Sequence, residues 1–132
     1  MFDMHDSVLR NVADRLVMWL GSSQWLDKID IREVPVTSAR ITVSDTARDL
    51  GVIIDSRLTM ADHVAAVCRS CYYQLRQLRS VARSLSAEAV VHAFISSRLD
   101  YCNFLLTGVN DGLLRRLQSV QNAAARLVTG TR

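Results

Sequence analysis

Apolar residues along this chain follow two different rhythms, and the change falls near residue 58. Before it the apolar runs are short. Residues 16–20 (LVMWL) make a compact run that stops at Gly21-Ser22-Ser23, a length that suits a buried strand. Residues 21–35 read as a polar connection, and Pro35 at its end suits an edge or a loop rather than a central strand. Residues 36–43 (VTSARITV) carry β-branched side chains in partial alternation, and DLGVIID over 49–55 has the same texture. This predicts one β-hairpin, with strands at about 36–43 and 49–54 and a turn over 44–48. Residues 1–12 have the mixed polarity of a short amphipathic helix.

After residue 58 the period lengthens. Thr59 and Asp62 match a capping box, and Val64, Val67, Cys68, Cys71, Leu75, Leu78 and Ala82 recur at steps of three and four. They predict one apolar stripe on a helix of roughly 60–82. Ser86, with Glu88 just inside, is the N-cap expected for a second helix. That helix carries Val90, Val91, Phe94, Ile95, Leu99, Cys102, Leu105 and Leu106 and stops at Gly108. Asn110 caps a third, with Leu113, Leu117, Val120, Ala124, Leu127 and Val128 on one side and Gly130 at its end. The expected fold class is α+β: a small N-terminal β-hairpin part over 1–58, then a three-helix bundle over 59–132.

Composition narrows the function classes. The chain has 132 residues, 49% of them hydrophobic, which is enough for one modest core. No apolar run reaches the ~18 residues of a membrane span, and the N-terminal stretch lacks a signal-peptide layout. Three cysteines point to thiols rather than a disulfide framework. Charge is unevenly spread. Residues 1–62 hold seven basic and ten acidic side chains, whereas residues 63–132 hold nine arginines against Glu88, Asp100 and Asp111. The second half is therefore the candidate surface for a polyanion, although scattered arginines also simply solvate helices.

Catalytic chemistry finds few footholds. Asp45, Asp49 and Asp55 flank the predicted strands, but no DD or DxD pattern brings carboxylates together for two-metal chemistry, and turn punctuation accounts for them. His63, Cys68 and Cys71, with His92 and Cys102 elsewhere, have partly zinc-like spacing, yet both Cys68 and Cys71 fall on the apolar stripe. The expectation is no metal and no catalytic residue. The arginines carry the stronger pattern. Arg69, Arg76, Arg79 and Arg83 are spaced seven, three and four apart on one side of the first long helix, with Tyr72 and Tyr73 interleaved. Arg115, Arg116 and Arg126 lie off the apolar stripe of the third helix, near Gln118, Ser119 and Asn122. Guanidinium groups match phosphates in a bidentate way.

Three ordered stretches, DLGVIIDSRLTMADHVAAVCRSCYYQLRQLR, HAFISSRLDYCNFLL and LLRRLQSVQNAAARLVTG, resemble non-LTR retrotransposon reverse transcriptases of the jockey-like and chicken-repeat-like kinds. The likeness runs from about Val17 to Arg132. MWLGS resembles the strand that follows the palm, and Leu50-Gly51 resembles the primer-grip hairpin. Residues 59–132 resemble the thumb. The resemblance implies a part of an RNA-directed DNA polymerase that holds the template–primer, with an RNA–DNA hybrid or duplex as partner and Mg2+ as the cofactor of a complete enzyme. It implies nucleic-acid contacts at Gly51, Arg69, Arg76, Arg79, Arg83, Arg115, Arg116 and Arg126, and an intracellular setting. The paired aspartates of the palm are absent from this sequence, and the usual Asn-x-x-Lys-Thr lead into MWLGS reads NVADRL here. The chain alone is therefore expected to be inactive as a polymerase and to represent a fragment or remnant of such an element. The competing expectation is a helical module that self-associates or binds a partner helix through an exposed apolar seam.

Overall fold

A computed structural model describes residues 16–81, 86–101 and 103–131. The helix expected over 1–12, Ala82, Arg83 and Cys102 lie outside them. The described fold is α+β, a small strand region followed by helices. A single helical turn, α1 (Ser23–Leu26), leads to β1 (Glu33–Val36), β2 (Ala39–Thr42), β3 (Thr46–Asp49) and β4 (Val52–Asp55). The helices are α2 (Ala61–Val81), α3 and α4 (Asp111–Thr129). Helix α3 runs through Ala87–Val91, a π-helical stretch His92–Ser96, and Ser97–Asp100; a 3-10 turn, Asn103–Leu106, follows it.

There are two hairpins where the hydrophobic pattern predicted one. β1 pairs antiparallel with β2, and β3 with β4. The reason lies in the strand period of two. Val36 and Ile41 are an odd number of residues apart, so one continuous strand over 36–43 would send them to opposite faces. A turn at Thr37-Ser38 pairs Val36 with Ala39 and Val34 with Ile41, which returns all three apolar residues to one half-buried face. The second turn is Leu50-Gly51. Both residues have positive φ, +47° and +83°, as in a type I′ turn, whose twist matches that of the strands. Gly51 is thus a turn residue rather than the strand glycine its place within DLGVIID suggested. Pro35 sits at the edge of a two-stranded sheet, where its missing N–H costs no ladder bond. The strand expected over 16–20 reduces to one parallel bridge, Val17 to Val43; Leu16 and Leu20 are exposed.

Asp55 organises the passage from β4 into α2. Its carboxylate accepts the N–H groups of Arg57, Thr59 and Met60 at 3.1, 3.0 and 2.8 Å and the Thr59 hydroxyl at 3.2 Å. Burial works against ionisation, but the bonds from Thr59, Met60 and Arg57 outweigh it and hold the carboxyl below its ordinary value. Thr59 contributes one bond, accepting from Ala61 N–H at 3.3 Å, so most of the capping expected of Thr59 falls to Asp55. The same acid explains how the chain can take positive φ at Leu58 and Met60 just before the helix.

The core lies among the three long helices. Val64, Cys68, Cys71 and Leu75 of α2 meet Val91 and Ile95 of α3 and Val120 and Ala124 of α4. The predicted stripes of α2 and α4 pack, except that Val128, expected with the α4 stripe, is exposed and Ala82 lies outside the described residues. Helix α3 differs more. Its core-facing residues, Val91, Ile95 and Leu99, recur every four residues, a spacing that drifts around a straight α-helix at 3.6 per turn. The wider π stretch takes up that drift. Phe94, expected on the apolar side, is exposed instead. The helix also ends at Asp100 rather than at Gly108: Tyr101 turns extended, and its hydroxyl donates to the Leu50 carbonyl at 2.6 Å. Ser86 and Asn110 cap as expected, accepting from Ala89 N–H at 3.4 Å and Gly112 N–H at 2.6 Å, and Gly130 closes α4 with φ +69°. No described helix is long and apolar enough to cross a membrane.

His63 ties the two parts together. It is buried, and its Nδ1 accepts the Ile53 N–H of β4 at 3.3 Å. Burial depresses its pKa below the ordinary 6.5. The folded chain therefore holds this proton less tightly than the unfolded chain. The His63 contribution is complete above about pH 6.5 and is lost as pH falls from there toward the depressed value. Urea midpoints measured at about pH 7.5 and about pH 5.5 are expected to fall less for His63→Gln than for the parent chain. Equal falls would contradict this role.

Candidate nucleic-acid interface

Helices α2 and α4 pack side by side, and their outer edges leave an open groove of about 700 Å³. Ala65 and Cys68 line it together with Arg69, Tyr72, Tyr73 and Arg76 of α2 and Arg116 and Ser119 of α4. A second open groove of about 620 Å³ shares Tyr72 and Arg76 with the first and adds Arg79 and Arg126. The helix spacing is what assembles this surface. Positions 69, 73 and 76 lie four and three apart, so they follow one another up a single face of α2. Tyr72 crosses to the neighbouring helix: its hydroxyl shares a 2.7 Å hydrogen bond with Ser119 Oγ.

The electrostatics of this face are one-sided. Among the described residues, no carboxylate lines either groove. Among the described residues, only Arg40 and Arg57 form ion pairs, with Glu33 at 3.6 Å and Asp27 at 3.8 Å, and both belong to the acidic half. Arg69, Arg76, Arg79, Arg116 and Arg126 are exposed and make no ion pair or side-chain hydrogen bond there. Among the described residues, nothing neutralises their charge.

The structure thus brings together five of the eight residues the resemblance implied. Arg115 is exposed on α4 but lines neither groove. Gly51 sits at the tip of the second hairpin, where a Cβ would stand 3.8 Å from the Tyr101 ring. Arg83 lies outside the described residues. Sequence reasoning missed the Tyr72–Ser119 bridge and the Tyr101–Leu50 bond, because residues 47 and 51 positions apart carry no local signal of their meeting.

The two described thiols are core residues rather than reactive groups. Cys68 and Cys71 are free and buried in the core. Burial raises the Cys68 pKa against the opposing charge of Arg116. Burial and then Cys68 raise that of Cys71 against Arg98. Both therefore stay protonated near neutrality and behave as small apolar side chains. Among the described residues no three His, Cys, Asp or Glu side chains converge to hold a metal ion. Comparison with known proteins finds no matching family model, curated protein or solved structure.

Proposed function

We propose that this chain is the nucleic-acid-holding part of a non-LTR retrotransposon RNA-directed DNA polymerase, without polymerase activity of its own. The observation that carries the reading is the α2–α4 face: along two adjoining grooves, the described residues include five arginines without an ion pair among them, two tyrosines and no acid. The three ordered sequence stretches support it independently. Such a face suits a sugar–phosphate backbone recognised by charge and shape rather than by base sequence. Binding of a fluorescent RNA–DNA hybrid, followed by anisotropy at about 50 and about 200 mM salt, is expected to weaken steeply with salt. Affinity independent of salt, or no binding at low salt, would contradict the reading. The purified chain is expected to incorporate no dNTP on a primed template, since the paired aspartates that position metal and primer hydroxyl are not in this sequence.

A second reading is favoured by a different observation. Leu58 and Leu105 are exposed and surround one notch with Val109 and Leu113. An apolar notch of this kind suits self-association. A mass that rises with concentration in light scattering, without nucleic-acid binding, would favour that reading over the first.

A further inference from the structure

Tyr72 and Tyr73 are neighbours in sequence but are not equivalent in the groove. The Tyr72 hydroxyl is tied to Ser119 on α4, so its ring forms part of the wall. Tyr73 is more than half exposed at 54%, and its hydroxyl has no hydrogen-bond partner among the described residues. It stands between Arg69, one turn before it, and Arg76, one turn after it, and all three line the same groove. Seven residues of helix place the two arginines about 10.5 Å apart along the axis. The arrangement is an untethered aromatic face with a phosphate-binding group on either side.

Within the reading just given, we infer that Tyr73 stacks on an unpaired base, so that the strand crossing the α2–α4 groove is single-stranded at that point. A base inside a duplex has both faces covered by its neighbours and cannot be laid on a ring. An unpaired base can, while the phosphates flanking it reach Arg69 and Arg76. Grooves that hold single strands combine these two elements, a cationic track and aromatic platforms. The template–primer is then gripped where one strand leaves the duplex, and Arg116, on the opposite wall, meets the same backbone.

The test compares two RNA–DNA hybrids of one sequence, one with a single-stranded overhang and one with both ends closed by ethylene-glycol linkers that carry no base. Anisotropy is expected to show the overhang hybrid bound on the order of tenfold more tightly. Tyr73→Ala is expected to weaken the overhang hybrid far more than the closed one, so that the difference between them disappears; Tyr73→Phe and Tyr73→Trp keep it, because stacking needs the ring and not the hydroxyl. A 2-aminopurine in the overhang is expected to lose fluorescence on binding the parent chain and to keep it with Tyr73→Ala. Equal affinity for the two hybrids, or a Tyr73→Ala effect on both alike, would overturn the stacking role and leave the broader reading standing. Binding of neither hybrid would overturn both. Unchanged helical circular dichroism of the variants confirms that the comparison is made on folded protein.

Discussion

Ile95→Ala is expected to destabilise the chain by about 2–5 kcal/mol, the usual cost of removing a large apolar side chain from a packed core. Ile95 is 1% exposed and is among the largest fully buried side chains described. It projects from the π stretch of α3 into the space shared by α2 and α4. Truncation leaves a cavity that three helices would have to close together, and close packing makes that hard. Domains of this size are stable by only about 5–15 kcal/mol, so the loss is a large fraction of the total. Urea denaturation followed by circular dichroism reads it directly. Phe94→Ala, one residue away but exposed, is expected to cost less than about 1 kcal/mol. Comparable losses at the two positions would mean that the π stretch does not set the face of α3 in the way described.

The second large effect is on binding. Replacing Arg76 and Arg79 together by Ala is expected to lower affinity for the hybrid on the order of tenfold to a hundredfold at low salt. The slope of log affinity against log salt is expected to fall by about 1.5 to 2, since each lost phosphate contact leaves roughly one fewer counterion to be released. Arg76 is shared by both grooves and Arg79 opens the second, so the pair sits near the middle of the cationic track. Arg115→Ala is the matched control. Compared with Arg76→Ala alone, it removes the same single charge, but from a position on α4 that lines neither groove, and its effect is expected to be small. An equal effect of Arg115→Ala would mean that total charge, not the groove, governs binding.

Much of the helical part was legible before the structure. The three- and four-residue spacing of Val64, Cys68, Cys71 and Leu75 names the buried face of α2, because a helix that packs on one side must repeat at its own period. Ser86, Asn110 and Gly130 mark ends for local reasons, through a side-chain acceptor or a positive φ. The strand region was less legible. Thr37-Ser38 carries no strong turn signal, and only the face on which Val34, Val36 and Ile41 must meet reveals that the chain reverses there. The end of α3 was illegible for a different reason. Nothing local stops the helix at Asp100; Tyr101 leaves it to bond a carbonyl fifty-one residues away. In the sequence Asp55 has the look of turn punctuation; its four accepted hydrogen bonds make it the organiser of the strand-to-helix junction.

The candidate site was half legible in the same sense. Helical spacing places Arg69, Arg76 and Arg79 on one side of α2, and it places Arg115, Arg116 and Arg126 off the apolar stripe of the third helix. What spacing alone does not give is the relative rotation of two helices, which decides that Arg116 and Arg126 face the α2 row while Arg115 does not.

Binding of nucleic acid along the α2–α4 face, as proposed, is read most directly by amide chemical-shift mapping during titration with the overhang hybrid. The largest shifts are expected at Arg69, Tyr73, Arg76, Arg116 and Ser119, with the β1–β2 hairpin unmoved. Shifts concentrated around Leu58, Leu105 and Leu113, or spread evenly over the surface, would contradict it.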